Sequence, residues 1–188
     1  LTRTPAMSDW KPSAGVDELR ARATLLAEVR TFLSSRGVLE VDTPLLGRFA
    51  ITDPNIELFE VTTPDGMRFL QSSPEYAMKR LLASGAGDIF QLGKVFRSGE
   101  HGSRHNPEFV MLEWYRLDWT HCQLMREVAD LVAHILKLST WQIWSLQALL
   151  DHFCQINLHS ANESELKVAA ANAGIDIVGD LDKLDYLD

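Results

Sequence analysis

Cysteine is nearly absent from this chain of 188 residues: Cys122 and Cys154 are the only two. They form no disulfide framework and no C-x-x-C pair, and such sparing use fits a reducing cytoplasm. No apolar run approaches the ~20 residues that a membrane-spanning helix needs, so no membrane partner is expected. Leu1 to Trp10 contains no apolar stretch of the kind that forms the centre of a signal peptide. A G-x-G-x-x-G run after a strand is missing, and so is a Walker loop, which argues against a Rossmann fold and a P-loop site. Internal repeats and low-complexity stretches are missing too. Arginine does not recur after Arg126.

Hydrophobic residues make up 46% and charged residues 23% of the chain, an ordinary globular balance. That excludes a disordered chain, a collagen and a coiled coil. The length suffices to bury a core without disulfide or metal staples. The net charge of −8 is uneven: residues 151–188 hold eight acids and two bases, residues 1–150 hold 18 and 16. The main body is therefore no generic nucleic-acid binder, and any phosphate chemistry must come from individually placed arginines.

Hydrophobic periodicity predicts a helix over 17–35, with Leu19, Leu25, Leu26, Val29, Phe32 and Leu33 as its stripe and Gly37 as its stop. A short strand is expected at Val38–Asp42. A hairpin should join strands around Ile56–Val61 and Met67–Leu70 through Pro64-Asp65-Gly66. A helix over 74–84, a strand Ile89–Arg97, a polar loop 98–106 and a long strand Glu108–Trp119 follow. Helices over 121–138, 145–155 and 162–173 complete the reading. Leu124, Val128, Leu131, Ile135 and Leu138 should form one face of the first of these. A leading helix, antiparallel strands and trailing helices amount to an α+β architecture. Leu181, Leu184 and Leu187 fall at i, i+3, i+6, as an amphipathic helix begins; a frayed acidic tail is the plainer alternative.

The chemistry concentrates between two strands. Phe96-Arg97-Ser98-Gly99-Glu100-His101-Gly102-Ser103-Arg104-His105-Asn106-Pro107-Glu108-Phe109 places arginines, histidines and an acid in one loop. Arginine captures phosphate or carboxylate in a bidentate fork, and an aromatic could stack on a base; an ordinary charged hairpin loop would look similar. Strand alternation puts Phe109, Met111, Glu113 and Tyr115 on one face and Val110, Leu112 and Trp114 on the other. Unpaired acids are rarely buried, so Glu113 needs a cation, either a ligand ammonium or a structural Lys or Arg. Ser72 with Glu75 reads as a capping box, and Ser73 with Pro74 reads equally well as N-cap plus N1 proline. Both start a helix that presents Glu75, which also could meet a ligand amine.

These residues resemble a known family. Gly37-Val38-Leu39-Glu40-Val41-Asp42-Thr43-Pro44 is similar to motif 1 of class II aminoacyl-tRNA synthetases, and Phe96-Arg97 through Glu113 is similar to motif 2 of the lysyl/aspartyl/asparaginyl subgroup. Ser73-Pro74-Glu75-Tyr76 and Lys79-Arg80-Leu81-Leu82 fall where that subgroup binds its amino acid. Glu113, Tyr115 and Glu75 suit a lysine-type ammonium better than an aspartate carboxylate. Trp10-Lys11-Pro12-Ser13-Ala14 and Leu112-Glu113-Trp114-Tyr115-Arg116 resemble the lysyl-tRNA synthetase paralogs that modify elongation factor P. Motif 1 begins too early to leave room for an anticodon-binding domain.

The resemblance implies a class II catalytic fold that is cytoplasmic and homodimeric through motif 1. Its activity is ATP-dependent activation of lysine or (R)-β-lysine, with transfer to a lysine of elongation factor P rather than tRNA. Arg97 would be catalytic and hold the α-phosphate and substrate carboxylate. Gly99, Glu100, His105, Asn106 and Phe109 would bind ATP. Ser73, Pro74, Glu75, Glu113 and Tyr115 would bind the amino acid. Motif 2 generally runs Arg-x-Glu, its acid reading the adenine amino group; here Gly99 takes that place, leaving Gly99 or Glu100 as the reader. Motif 3 and the Mg2+ ligands are expected beyond residue 188. The expected organisation is an N-terminal extension 1–14, a catalytic core 15–144 and the start of a helical insertion 145–188. A lysyl-tRNA synthetase fragment and a non-catalytic dimerisation module are the alternatives.

Overall fold

A computed structural model describes residues 11–99, 102, 105–175, 179, 181–183 and 185–186. It separates into two compact units, Leu1–Ser139 and Thr140–Asp188. In the first unit the order is α1 (Val16–Ser34), β1 (Leu39–Glu40), β2 (Leu46–Gly47), β3 (Glu60–Thr63), β4 (Gly66–Leu70), α2 (Glu75–Ala83), β5 (Ile89–Phe96), β6 (Glu108–Tyr115) and α3 (His121–Leu136). The second unit contains α4 (Leu146–Cys154) and α5 (Glu163–Asn172). Among the described residues, no helix is long and apolar enough to cross a membrane.

Helices begin and end where local chemistry satisfies their orphan backbone groups. Gly37 adopts a left-handed φ of 76°, which lets Val38 N–H reach back to the Leu33 carbonyl at 3.2 Å and close α1. Gly85, φ 85°, does the same for α2, with Ala86 N–H on the Leu81 carbonyl at 3.1 Å. At α3, Thr120 and Gln123 form a capping box. Asn162 and Glu165 form another at α5, and the Ser145 hydroxyl caps α4.

Two small sheets build the first unit, in the orders β1-β5-β6 and β2-β4-β3. The β5–β6 pair is antiparallel from Ile89↔Tyr115 to Phe96↔Glu108. The expected antiparallel pairing holds for β2–β4, β3–β4 and β5–β6, while β1 runs parallel to β5, Leu39 opposite Ile89. The strand expected at 38–42 is also shorter. After Val41 N–H bonds the Phe90 carbonyl, the next inward amide, Thr43 N–H, goes to the Gln91 side chain instead of a ladder carbonyl. The segment around Ile56–Leu58 is not strand. Its Glu57 carbonyl accepts from Ser98 N–H at 2.9 Å, and pairing with β4 starts only at Glu60.

The core of this unit consists of Val29, Phe32, Leu33, Val38, Phe90 and Leu131, with Leu92, Leu112, Trp114 and Ile135 packed against it. One face of β5–β6 therefore carries α1 and α3. The early part of the predicted α1 stripe is not covered: Leu19 and Leu25 are exposed. On α3 the buried line runs through Glu127, Leu131 and Ile135, while Val128 and Leu138 are exposed. Turning the helix this way brings an acid into the core.

Glu127 explains why β6 stops at Tyr115 and does not run to Trp119. The Arg116 guanidinium donates through Nε to Glu127 Oε2 at 2.9 Å, through Nη2 to Glu127 Oε1, and through Nη1 to Asp88 Oδ2 at 3.0 Å. Trp114 Nε1 donates to the same carboxylate at 3.0 Å. Asp88 Oδ1 takes Leu117 N–H at 2.7 Å, and Asp118 turns left-handed at φ 59°. These hydrogen bonds pull the chain out of the ladder once β5 has no residue left to pair. The acids and their hydrogen bonds raise the Arg116 pKa.

The second unit has its own cluster of Ile156, Ala161 and Leu166, flanked by Leu150, Cys154, Ala169 and Tyr186. Leu184 and Leu187 lie outside the described residues. Positions 181–183 and 185–186 are loop and turn, without helix.

The Arg116 and Glu127 side chains are only 5% and 4% exposed. Removing one partner of a buried pair strands the other charge, at a cost of about 3–5 kcal/mol. Glu127→Leu should lower unfolding free energy by about that amount, read from the midpoint of urea denaturation. A change below about 1 kcal/mol would mean that the network contributes little.

Candidate active site

The second face of β5–β6 is polar where the first is apolar. Register places Gln91 opposite Glu113, Ile89 opposite Tyr115 and Val95 opposite Phe109. The entrance of α2 lies against this face. Ser73 Oγ donates to Glu113 Oε2 at 2.6 Å and accepts Glu75 N–H at 3.1 Å. Both capping readings need correction: Pro74 itself is the N-cap of α2, and Ser73, one residue earlier, takes Glu75 N–H. Pro74 is fully buried and Met78 N–H returns to its carbonyl at 2.9 Å. One hydroxyl thus ties the first turn of α2 to the middle of β6.

Tyr115 OH donates to the other carboxylate oxygen, Glu113 Oε1, at 2.7 Å. Among the described residues, no Lys or Arg forms an ion pair with Glu113. Of the two cations the sequence allows, a structural Lys or Arg is not paired with it among the described residues; two hydroxyl donors hold the carboxylate instead. Each carboxylate oxygen keeps acceptor capacity for a further donor. Burial pushes the Tyr115 phenol well above its ordinary 10, and the hydrogen bond to Glu113 and that carboxylate's charge add to it. Glu75, in the first turn of α2, pairs with Lys79 one turn on. Lys79 is raised above its ordinary value, first by its hydrogen bond to Glu75, then by that acid's charge.

Gln91, Gln71 and Thr43 belong to the same face and were not foreseen. Gln91 is 3% exposed and accepts Thr43 N–H on Oε1 at 3.0 Å. Thr43 Oγ1 donates to Gln71 Oε1 at 3.3 Å, and Gln71 Nε2 donates to the Lys94 carbonyl at 3.0 Å. A glutamine inside the apolar run Ile89–Phe96 is the one sequence signal that could have flagged them, since a buried amide must find partners.

Arg97 follows β5 directly. Its N–H bonds the Pro107 carbonyl at 2.9 Å, and its Nε donates to the Ser72 carbonyl at 3.4 Å. Its guanidinium carbon lies 5.4 Å from the centre of the Phe109 ring. A cation and an aromatic face thus stand side by side, joined through Ser72 to the Ser73–Glu113 cluster. His105 and Asn106 are exposed in the loop just before Pro107, where His105 and Gly102 exchange backbone hydrogen bonds at 3.3 Å. Gly99 borders a cavity of about 230 Å³ with Asn55, Ile56, Glu57 and Arg97. Glu100, His101, Ser103 and Arg104 lie outside the described residues. A larger cavity, about 380 Å³, opens beside Ser73, Glu75 and Tyr76 and is otherwise mostly apolar.

The mixed sheet with helices on one face, and an arginine–aromatic pair beside a hydroxyl-held acid on the other, define a class II synthetase-type catalytic module. The family profile for class II tRNA synthetases (D, K and N) matches residues 7–185, and the chain belongs to that family. Curated relatives narrow the likeness. The chain is 44% identical to the elongation factor P–(R)-beta-lysine ligase of Photorhabdus laumondii, over 94% of this chain and 56% of that protein. It is 45% identical to the ligase of the same name from Haemophilus influenzae strain PittGG, over 88% of this chain and 53% of the relative. For the Vibrio vulnificus ligase the identity is 43%, over 89% and 54%. The chain spans about half the length of the curated relatives it matches.

The raised Tyr115 phenol gives a sign that can be checked. Unfolded tyrosine ionises near 10, whereas folded Tyr115 stays neutral to higher pH. Its contribution to stability is complete below pH 10 and is lost as pH rises through the folded value. Spectroscopic titration of tyrosinate should show a phenol ionising later than the others, and Tyr115→Phe should remove it. If the late step survives in that variant, it does not belong to Tyr115.

Proposed function

We propose that the protein activates lysine or (R)-β-lysine with ATP and passes the acyl group to a lysine of elongation factor P. The observation that carries this reading is Glu113 held by Ser73 and Tyr115 hydroxyls, with Glu75 on the adjoining turn. Glu113, which forms no ion pair among the described residues, and Glu75, whose one ion-pair partner among them is the exposed Lys79, offer carboxylates to an ammonium, and the relatives' names supply the substrate class and acceptor.

In this reading Glu113, with Ser73 and Tyr115 around it, binds one substrate amine. Glu75, placed by Pro74 at the helix entrance, binds the other. Arg97 takes the substrate carboxylate and the α-phosphate together, drawing two anions to one guanidinium. Phe109 offers a stacking face for the base, and His105, Asn106, Gly99 and Glu100 complete the nucleotide side. The arginine–aromatic pair already present fits such a nucleotide.

The carboxylate oxygen attacks the α-phosphorus, the bond to the departing pyrophosphate breaks, and an acyl-adenylate forms. The acceptor lysine amine, once it has lost a proton, attacks the acyl carbon and AMP leaves. Positioning and electrostatics supply the acceleration. Mg2+, when bound, would neutralise phosphate charge; among the described residues no three His, Cys, Asp or Glu side chains gather as its ligands. The reading also carries a cytoplasmic homodimer joined through residues 37–44 and a core extending over 15–144.

The deciding experiment uses the full-length protein with ATP, each lysine isomer, and either elongation factor P or tRNA as acceptor. Acylation of the factor and not of tRNA is expected. Acylation of tRNA alone would overturn the proposal in favour of a lysyl-tRNA synthetase. In the same assay Glu113→Ala should cut amino-acid activation about 100-fold or more, the scale of losing a charge-assisted contact and its hydroxyl frame.

A further inference from the structure

On the nucleotide side, Arg97 and Phe109 themselves offer no acceptor for a base. Arg97 supplies charge and Phe109 supplies a stacking face, but neither distinguishes one purine from another. An exocyclic amino group is a donor, and an ionised carboxylate, which only accepts, is its natural complement. Position 99 is glycine and contributes no side chain. Its φ lies outside the left-handed region, so backbone strain does not require glycine there.

What fills the space beside Gly99 is Glu57. A β-carbon placed on Gly99 would lie 3.1 Å from Glu57 Oε2 and 3.3 Å from its carboxyl carbon. The Glu57 backbone is fixed to the same turn, its carbonyl accepting Ser98 N–H at 2.9 Å. Among the described residues, no hydrogen bond or ion pair engages the Glu57 carboxylate. Among the described residues, it is the one acid that lines the 230 Å³ cavity together with Arg97 and Gly99. A carboxylate with open acceptor capacity, beside the arginine and in the volume of an absent side chain, has the chemistry of a base reader.

We infer that Glu57 reads the exocyclic amino group of a 6-aminopurine nucleotide, replacing an acid at position 99 with one from the segment ahead of β3. The inference rests on the nucleotide reading proposed above and goes beyond it by naming the residue that selects the base. Glycine at 99 and glutamate at 57 then form one device, because a β-carbon at 99 would crowd the carboxylate that stands in for it and make it give way by a few tenths of an ångström.

The test compares ATP with ITP, which carries a 6-oxo group, by calorimetric binding to the full-length protein. The unaltered protein should prefer ATP. Glu57→Ala should weaken ATP about tenfold or more, the scale of a hydrogen bond to a charged group, and leave ITP unchanged, so that the preference disappears. Gly99→Glu alone should weaken both nucleotides by crowding and like charge. Combined with Glu57→Ala it should restore the preference, which also shows that the variants fold. Equal weakening of ATP and ITP in Glu57→Ala overturns the assignment of Glu57. So does loss of the preference in Glu100→Gln with its retention in Glu57→Ala. Failure of the unaltered protein to bind ATP overturns the nucleotide reading itself.

Discussion

Register between β5 and β6 governs the first unit. With Gln91 opposite Glu113, Phe90, Leu92, Leu112 and Trp114 project toward α1 and α3, and Gln91, Glu113, Tyr115 and Phe109 project to the other side. Strand side chains alternate with a period of two, so a slip of one residue would exchange the faces completely. Glu113 would enter the apolar core and Leu112 would line the site. The core selects against that slip, since the apolar face is worth burying only against the helices. Site geometry is in this sense a by-product of core packing.

Two acids in this unit are handled in opposite ways. Glu127 lies in the core and is neutralised by Arg116, with Trp114 and Asp88 satisfying the remaining groups. Glu113 is partly buried on the polar face and is held by hydroxyls from Ser73 and Tyr115. An arginine cancels a charge, whereas a hydroxyl orients it and leaves it in place. The first arrangement suits a structural joint. The second leaves both carboxylate oxygens able to accept a further donor.

The elements that sequence periodicity captured are those whose stabilising contacts are local. α1, α2, β5 and the α3 start follow from spacing, caps and glycine stops within a few residues. Errors concentrate where a distant partner intervenes. β1 is cut short by the Gln91 side chain, the Ile56–Leu58 segment is claimed by Ser98, and β6 is ended by Glu127 and Asp88. The orientation of α3 was misread for the same reason: an acid on its buried face makes sense only beside Arg116.

For the site, the residue types and their order along the chain were legible. Arg97, Phe109, Glu113, Tyr115 and the Ser73-Pro74-Glu75 turn can be named as candidates from their motifs, because residue type and spacing are read directly from the chain. Their partners could not be named. That Glu113 is met by hydroxyls and not a cation, that Gln91, Gln71 and Thr43 knit the floor, and that Glu57 occupies the space at Gly99 depend on contacts between segments 20 to 50 residues apart. A sequence records which groups are available and how they alternate. Which of them meet is settled by register and packing, where one residue of slip or one turn of helix changes every partner.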